Sequence, residues 1–237
     1  TVLPTPIDRD ATVAGPTSYK GLALRLTDTG APTVTEVDGV VGMVCVGMSN
    51  SNQECADFIV RRNGEYDAAV HPAVRVVNCA VGGHAIERWI DAQYNATLWD
   101  ACIGTKLAAA GVRLDQVRVV YHKAANQFTT GTGGVALPTY PAADSDFENF
   151  RDNLEAFDAR VRTKFPALQA VYTSSRSYGG FAGSVGRGEP LSYEEGHALN
   201  VWLRDHTAVN GVWHGWGPYL WAPQSGTGGG GGSGGGG

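Results

Sequence analysis

Charged side chains make up only 17% of the 237 residues, and lysine is scarce beside arginine. No basic stripe appears, and the net charge is −5. The chain therefore lacks the electrostatic footprint of a nucleic-acid binder, and no nucleic acid is expected as a partner. Long apolar runs are missing too. None approaches the roughly eighteen residues that a membrane-crossing helix needs, so no membrane span is expected. Cysteine is limited to four residues, at a spacing that fits no zinc motif. Cys45, Cys55, Cys79 and Cys102 fall on core-like positions and read as buried free thiols. A Cys45–Cys79 bridge between neighbouring strands is the alternative if the protein is secreted. His84 and Glu87 sit one helical turn apart but lack a third ligand at a recognisable spacing, so no metal is expected. Gly131-Thr132-Gly133-Gly134 is followed by no helix and no Lys-Ser/Thr, which rules out a phosphate loop. No organic cofactor is implied, and no internal repeat is evident.

Hydrophobic residues reach 43%, enough for one sizeable core. Val40 to Val46, Val74 to Asn78, Val117 to His122 and Ala167 to Thr173 are short, valine-rich runs that read as buried parallel strands. Helical patterns alternate with them. Ser51 with Glu54, Ser145 with Glu148 and Ser192 with Glu195 have capping-box spacing. Phe147, Phe150, Leu154, Phe157, Val161 and Phe165 form an apolar helical stripe, and residues 98 to 110 show helical spacing. Alternating strands and helices predict an α/β fold: a three-layer α/β/α sandwich around a parallel, flavodoxin-like sheet. Residues 1–38 read as an extended arm, 39–222 as the domain, and 223–237 as a glycine-rich tail or linker. The chain begins at Thr1 rather than Met, as a processed mature protein or an expressed fragment does.

Three of the strands end in turns of distinctive composition. The first is followed by Gly47-Met48-Ser49-Asn50-Ser51, which places Ser49 between a strand and a helix. A hydroxyl there can enter the crevice at the carboxyl edge of a sheet, with helix N–H groups facing a developing negative charge. The plainer reading is that Ser49 and Ser51 only cap the helix. The second strand leads into Cys79-Ala80-Val81-Gly82-Gly83-His84, and the third into Lys123-Ala124-Ala125-Asn126. Taken singly, Gly83 is an ordinary turn residue and Asn126 an ordinary loop residue. The Gly-, Thr- and Pro-rich residues 127 to 143 follow directly and have the character of a substrate-contacting lid.

The order Ser, Gly, Asn after successive strands resembles the SGNH (GDSL-like) hydrolase superfamily, over roughly residues 39 to 221. Gly47-Met48-Ser49-Asn50-Ser51 is similar to its Gly-Asp-Ser-x-Ser block, with Met48 in place of Asp. Asn78 with Gly83 resembles the glycine block, and Ala124-Ala125-Asn126 the Gly-x-Asn-Asp block, with Gln127 for the last Asp. The resemblance implies that Ser49 is the nucleophile. It also implies an oxyanion hole made by the Ser49 N–H, the Gly83 N–H and the Asn126 side-chain amide. Ser174-Ser175-Arg176-Ser177-Tyr178 and Trp216-Gly217-Pro218-Tyr219-Leu220-Trp221-Ala222 further resemble elements of an uncharacterised bacterial group with sialate O-acetylesterase-like, carbohydrate-esterase character.

The superfamily carries its base in an Asp-x-x-His motif near the C-terminus, and this chain contains no such sequence. Where it is expected, the chain runs into Pro223-Gln224-Ser225-Gly226-Thr227 and glycine. The base is therefore expected outside residues 1–237, and weak activity is expected of these residues alone. His214 is the fallback base, with Asp205 as its orienting carboxylate. Arg176, Trp213 and Trp216 are candidate substrate-binding residues, Arg176 for an anionic or hydroxylated group and the tryptophans as a sugar platform. The implied function is removal of O-acyl groups, acetyl first, from a carbohydrate or other small ester by a secreted or extracellular enzyme. The alternative is a non-catalytic extracellular surface or assembly protein that retains the fold, with self-assembly through the glycine-rich tail.

Overall fold

The valine-rich runs fold as strands. In the structure, a computed structural model describing residues 33–127, 129, 135, 137–176, 188–206 and 208–217, they are β1 (Val41–Gly47), β2 (Val74–Asn78), β3 (Val117–Lys123) and β4 (Ala170–Ser174). A short hairpin adds β5 (Ala208–Val209) and β6 (Val212–Trp216). Its two-residue turn is Asn210-Gly211, with both residues at positive φ, as such turns require. The sheet order is β2-β1-β3-β4-β6-β5. All pairings are parallel except β5 with β6. The order reverses between β1 and β3, and in an open α/β sheet the ligand crevice lies outside the carboxyl ends of the strands at that point.

Helices cover both faces because the strands alternate. Val44, Val46, Val77, Val120 and Val171 point to one face. There they meet α2 (Ile86–Ile90), α3 (Asp146–Lys164) and α4 (Leu191–Asp205) through Trp89, Phe150, Phe157 and Leu199. Cys45 and Tyr121 point to the other face, against Cys55 and Ile59 of α1 (Ser49–Arg62). Trp99 is wholly buried and makes edge contacts with Trp89 and Phe165, at ring-centroid distances of 4.9 and 5.9 Å. Side chains of this size each contribute roughly 3 kcal/mol on burial.

Local details depart from the sequence pattern. The stretch with helical spacing before β3 is π-helical over Ala96–Asp100 and Cys102–Leu107. Ser145 does cap α3, accepting from the Glu148 N–H. Ser51 does not cap α1. It is buried inside the first turn, and its Oγ donates to Val46 O at 2.8 Å. Ser192 likewise lies within α4, whose N-cap is Pro190. The cysteines form Cys45–Cys55 and Cys79–Cys102 disulfides, so neither free thiols nor a Cys45–Cys79 bridge is present. The free-thiol reading fails, and the alternative named another partner for Cys45, because α1 folds back over β1 and presents Cys55 to it. Of the N-terminal arm, residues 33–38 are described, and Thr35 bonds Gln169 ahead of β4. Residues 1–32 and the glycine-rich tail lie outside the described residues.

Candidate active site

Gly47 ends β1 at φ +128, a conformation that favours glycine. A Cβ there would lie 2.5 Å from Lys123 O and 3.0 Å from Ser51 Cβ, so a side chain would push β3 and α1 away. Met48 follows in extended conformation, and Ser49 opens the helix. The helix start is pinned from below by the Ser51–Val46 bond and by the Cys45–Cys55 disulfide. Ser49 is half-buried, and its hydroxyl makes no hydrogen bond among the described residues.

The glycine turn is laced to the serine turn. Cys79 N–H donates to Cys45 O at 2.9 Å and Val81 N–H to Gly47 O at 3.0 Å, which extends the β1–β2 ladder past the strand ends. Asn52 Nδ2 donates to Ala80 O, and Asn78 Nδ2 to Asn52 O, each at 2.9 Å. These bonds bring the Gly82 backbone against Ser49: a Cβ on Gly82 would lie 3.9 Å from Ser49 Cβ. Gly83 is exposed at φ +75, and a Cβ there would meet nothing within 4 Å. Conformation, not crowding by any described residue, therefore requires glycine at 83.

The asparagine turn joins through Ile86 N–H, which donates to Ala125 O at 3.1 Å. Asn126 is 1% exposed, and its N–H, its carbonyl and both side-chain polar atoms are each engaged. Its N–H donates to Glu195 Oε1 at 2.9 Å, and its carbonyl accepts from Arg176 Nη2 at 2.6 Å. Its Nδ2 donates to Asp146 Oδ1 at 2.9 Å, and its Oδ1 accepts from Asn153 Nδ2 at 2.8 Å. Burial pushes the Asp146 carboxyl up to about 6, against the Asn126 bond and the Arg176 charge. Full burial likewise raises Glu195 well above the usual carboxylate range, although Arg176 opposes it.

Several sequence-derived candidates serve other purposes. Arg176 has its guanidinium on Glu195 and the Asn126 carbonyl, so it is engaged within the protein rather than offered to a substrate. Trp213 and Trp216 are 5% and 4% exposed. Trp213 packs edge-on against Tyr172, and Trp216 Nε1 donates to Asn200 Oδ1 at 3.1 Å, so neither forms a platform. His214 pairs in register with Val171, back from the carboxyl edge, and its Nε2 lies 3.1 Å from buried Asp158 Oδ1. Asp205 is exposed and pairs with Arg204 instead. Burial pushes Asp158 up, but the His214 and Arg162 contacts outweigh it and hold the carboxyl below its usual range. His214 thus faces Asp158 in the interior, on a strand three places from β1 in the sheet and away from Ser49. His122 is fully buried against Phe157 and pushed down to about 3 by that burial. His84 does sit on the glycine turn. Its Nδ1 lies 2.9 Å from Gly82 O, and because a carbonyl only accepts, Nδ1 carries the proton. Within the 127–143 segment, where a lid was expected, residues 128, 130–134 and 136 lie outside the described residues.

Sequence reasoning missed Asp146, Glu195, Lys123 and Glu54. Lys123 is 3% exposed and ion-pairs with Glu54 at 2.9 Å beneath the serine turn, where Tyr121 OH also donates to Glu54 Oε2. The available signal was an acid on an apolar stripe. Asp146 precedes Phe150 by four residues, and Glu195 precedes Leu199 by four. Among the described residues, no group of three or more His, Cys, Asp or Glu is arranged to hold a metal ion, and no helix is long and apolar enough to cross a membrane. A scan against known protein-family models and a search of curated proteins both find no match.

Proposed function

We propose that this chain is an SGNH-type serine esterase with a three-layer, flavodoxin-like fold. It would remove an O-acyl group, acetyl first, from a carbohydrate or other small ester. One observation carries the reading. The serine, glycine and asparagine turns are tied to one another at the reversal point of the sheet, and the hydroxyl on the first of them makes no bond among the described residues. Ser49 Oγ attacks the ester carbonyl and loses its proton to a base. The carbonyl oxygen becomes an oxyanion, met by the Ser49 and Gly83 N–H groups and the Asn126 amide. The alkoxy group leaves with that proton, and water then releases the acid from Ser49. The base comes from outside the described residues, as the resemblance to the Asp-x-x-His enzymes implies. Two disulfides that use all four cysteines support an oxidising, extracellular location.

A second reading has its own support. Ser49 Oγ has no hydrogen-bonded base among the described residues, as in a protein that keeps the fold without catalysis. Acetate release from acetylated oligosaccharides and aryl acetates by the natural full-length protein separates the two. Turnover abolished in a folded Ser49→Ala variant supports the esterase. No turnover in the parent supports the second reading, and turnover unchanged in that variant overturns Ser49 as the nucleophile.

A further inference from the structure

Asn126 is held more completely than a loop residue needs. Both backbone groups are bonded by side chains distant in sequence, Glu195 and Arg176. The amide cannot flip without breaking two bonds, because Asn153 donates to Oδ1 and Asp146 accepts from Nδ2. Nδ2 carries two protons. One is taken by Asp146, and the other has no partner among the described residues. Two buried carboxylates and one guanidinium make an expensive assembly. Apolar packing of similar volume is often at least as stabilising, so stability alone does not account for it.

We propose that Asp146, Asn153, Glu195 and Arg176 are positioning residues that present Asn126 Nδ2 as a single-proton donor to the carbonyl oxygen of the substrate. The proposal rests on the esterase reading. Asp146 and Asn153 fix the side-chain torsion, while Glu195 and Arg176 fix the peptide from which it springs. A donor set in advance needs no reorganisation when charge appears on the oxygen, and its effect falls on the chemical step rather than on binding. Asp146→Ala removes the Nδ2 acceptor, whereas Asp146→Asn keeps an oxygen there. Asn153→Ala frees the amide to flip, at a partly exposed position where refolding risk is small.

The test is the saturation kinetics of phosphonylation of the natural full-length protein by a fluorophosphonate, whose phosphoryl oxygen occupies the oxyanion position. Asp146→Ala and Asn153→Ala should each lower the maximal labelling rate about 10- to 100-fold, with half-saturation changed less than about twofold. Asp146→Asn should recover most of the rate, and thermal melts should show all three variants folded. Ser49 labelled at the parental rate in folded Asn153→Ala and Asp146→Ala overturns the proposal and leaves the esterase reading standing. Equal losses in Asp146→Asn and Asp146→Ala also overturn it, since the acceptor oxygen would then not matter. No labelling of Ser49 in the parent overturns the esterase reading itself, and the proposal with it.

Discussion

The serine turn and the asparagine turn sit side by side, yet they are built by opposite means. The serine turn is fixed by its backbone: a glycine that only just clears Lys123 O, ladder bonds to the glycine turn, and a disulfide between β1 and α1. The Ser49 hydroxyl makes no bond among the described residues. The asparagine turn is fixed through side chains, with a buried carboxylate and a guanidinium on its peptide and two more polar groups on its amide. The difference follows the chemistry each residue would perform. A nucleophile must move toward carbon and exchange a proton, so rigidity belongs beneath it. A hydrogen-bond donor gains most from having one direction, so rigidity belongs on it.

The contrast can be broken first at Glu195. Glu195→Ala leaves the Arg176 charge and the Asn126 N–H without their buried acceptor. The expected loss is about 3–5 kcal/mol of stability in denaturant titration. Glu195→Gln, which keeps an acceptor oxygen, should lose clearly less. A Glu195→Ala protein as stable as the parent would mean that the asparagine turn does not depend on this network. Removing the staple on the other turn, with Cys45→Ala and Cys55→Ala together, should cost about 3 kcal/mol by the same measurement. Its effect on Ser49 reactivity should exceed its effect on the environment of Asn126, read from the side-chain amide resonances.

How much of this was legible beforehand depends on what periodicity can report. β1, β3 and β4 were readable because burial on both faces demands continuous β-branched runs, whereas β2 lies at the sheet edge with Arg75 exposed and was readable from its valines alone. The Phe147–Phe165 stripe was readable because it repeats at helical spacing over a long helix. Direction across a strand was not. Trp213 and His214 are neighbours, but one packs on Tyr172 and the other lies beside Asp158 on the opposite face, and the aromatic cluster gave no sign that both were interior. The Ser51–Glu54 spacing suggested a cap, but Val46 O and Lys123 are the partners the fold supplies. Serine, glycine and asparagine could be placed on turns because each follows a strand. The buried acids that hold Asn126 were hidden, since Ser192 with Glu195 passed for a helix start.

A smaller effect is expected in the sheet beside the serine turn, at the buried His122 of β3. Burial holds His122 near 3 in the folded protein, against 6.5 when unfolded. The unfolded chain therefore takes up a proton that the folded chain refuses. His122 thus favours the fold fully above pH 6.5, and the advantage drains away as pH falls toward 3. His122→Leu removes this dependence. Relative to it, the parent should lose about 1.4 kcal/mol for each pH unit below 6.5. Parallel stability curves for the two proteins would show that His122 accepts a proton where it stands. Smaller again is Ser51→Ala, which removes one buried bond to Val46 O. It should cost about 1 kcal/mol with little change in the labelling of Ser49.

Whether Ser49 acts as the nucleophile can be read from a single labelling experiment. The natural full-length protein is treated with a fluorophosphonate, digested, and the modified residue located by mass spectrometry. A stoichiometric adduct is expected on Ser49, absent from folded Ser49→Ala and strongly slowed in folded Asn126→Ala. An unmodified Ser49, or an adduct on another residue that persists in Ser49→Ala, would contradict a nucleophilic Ser49.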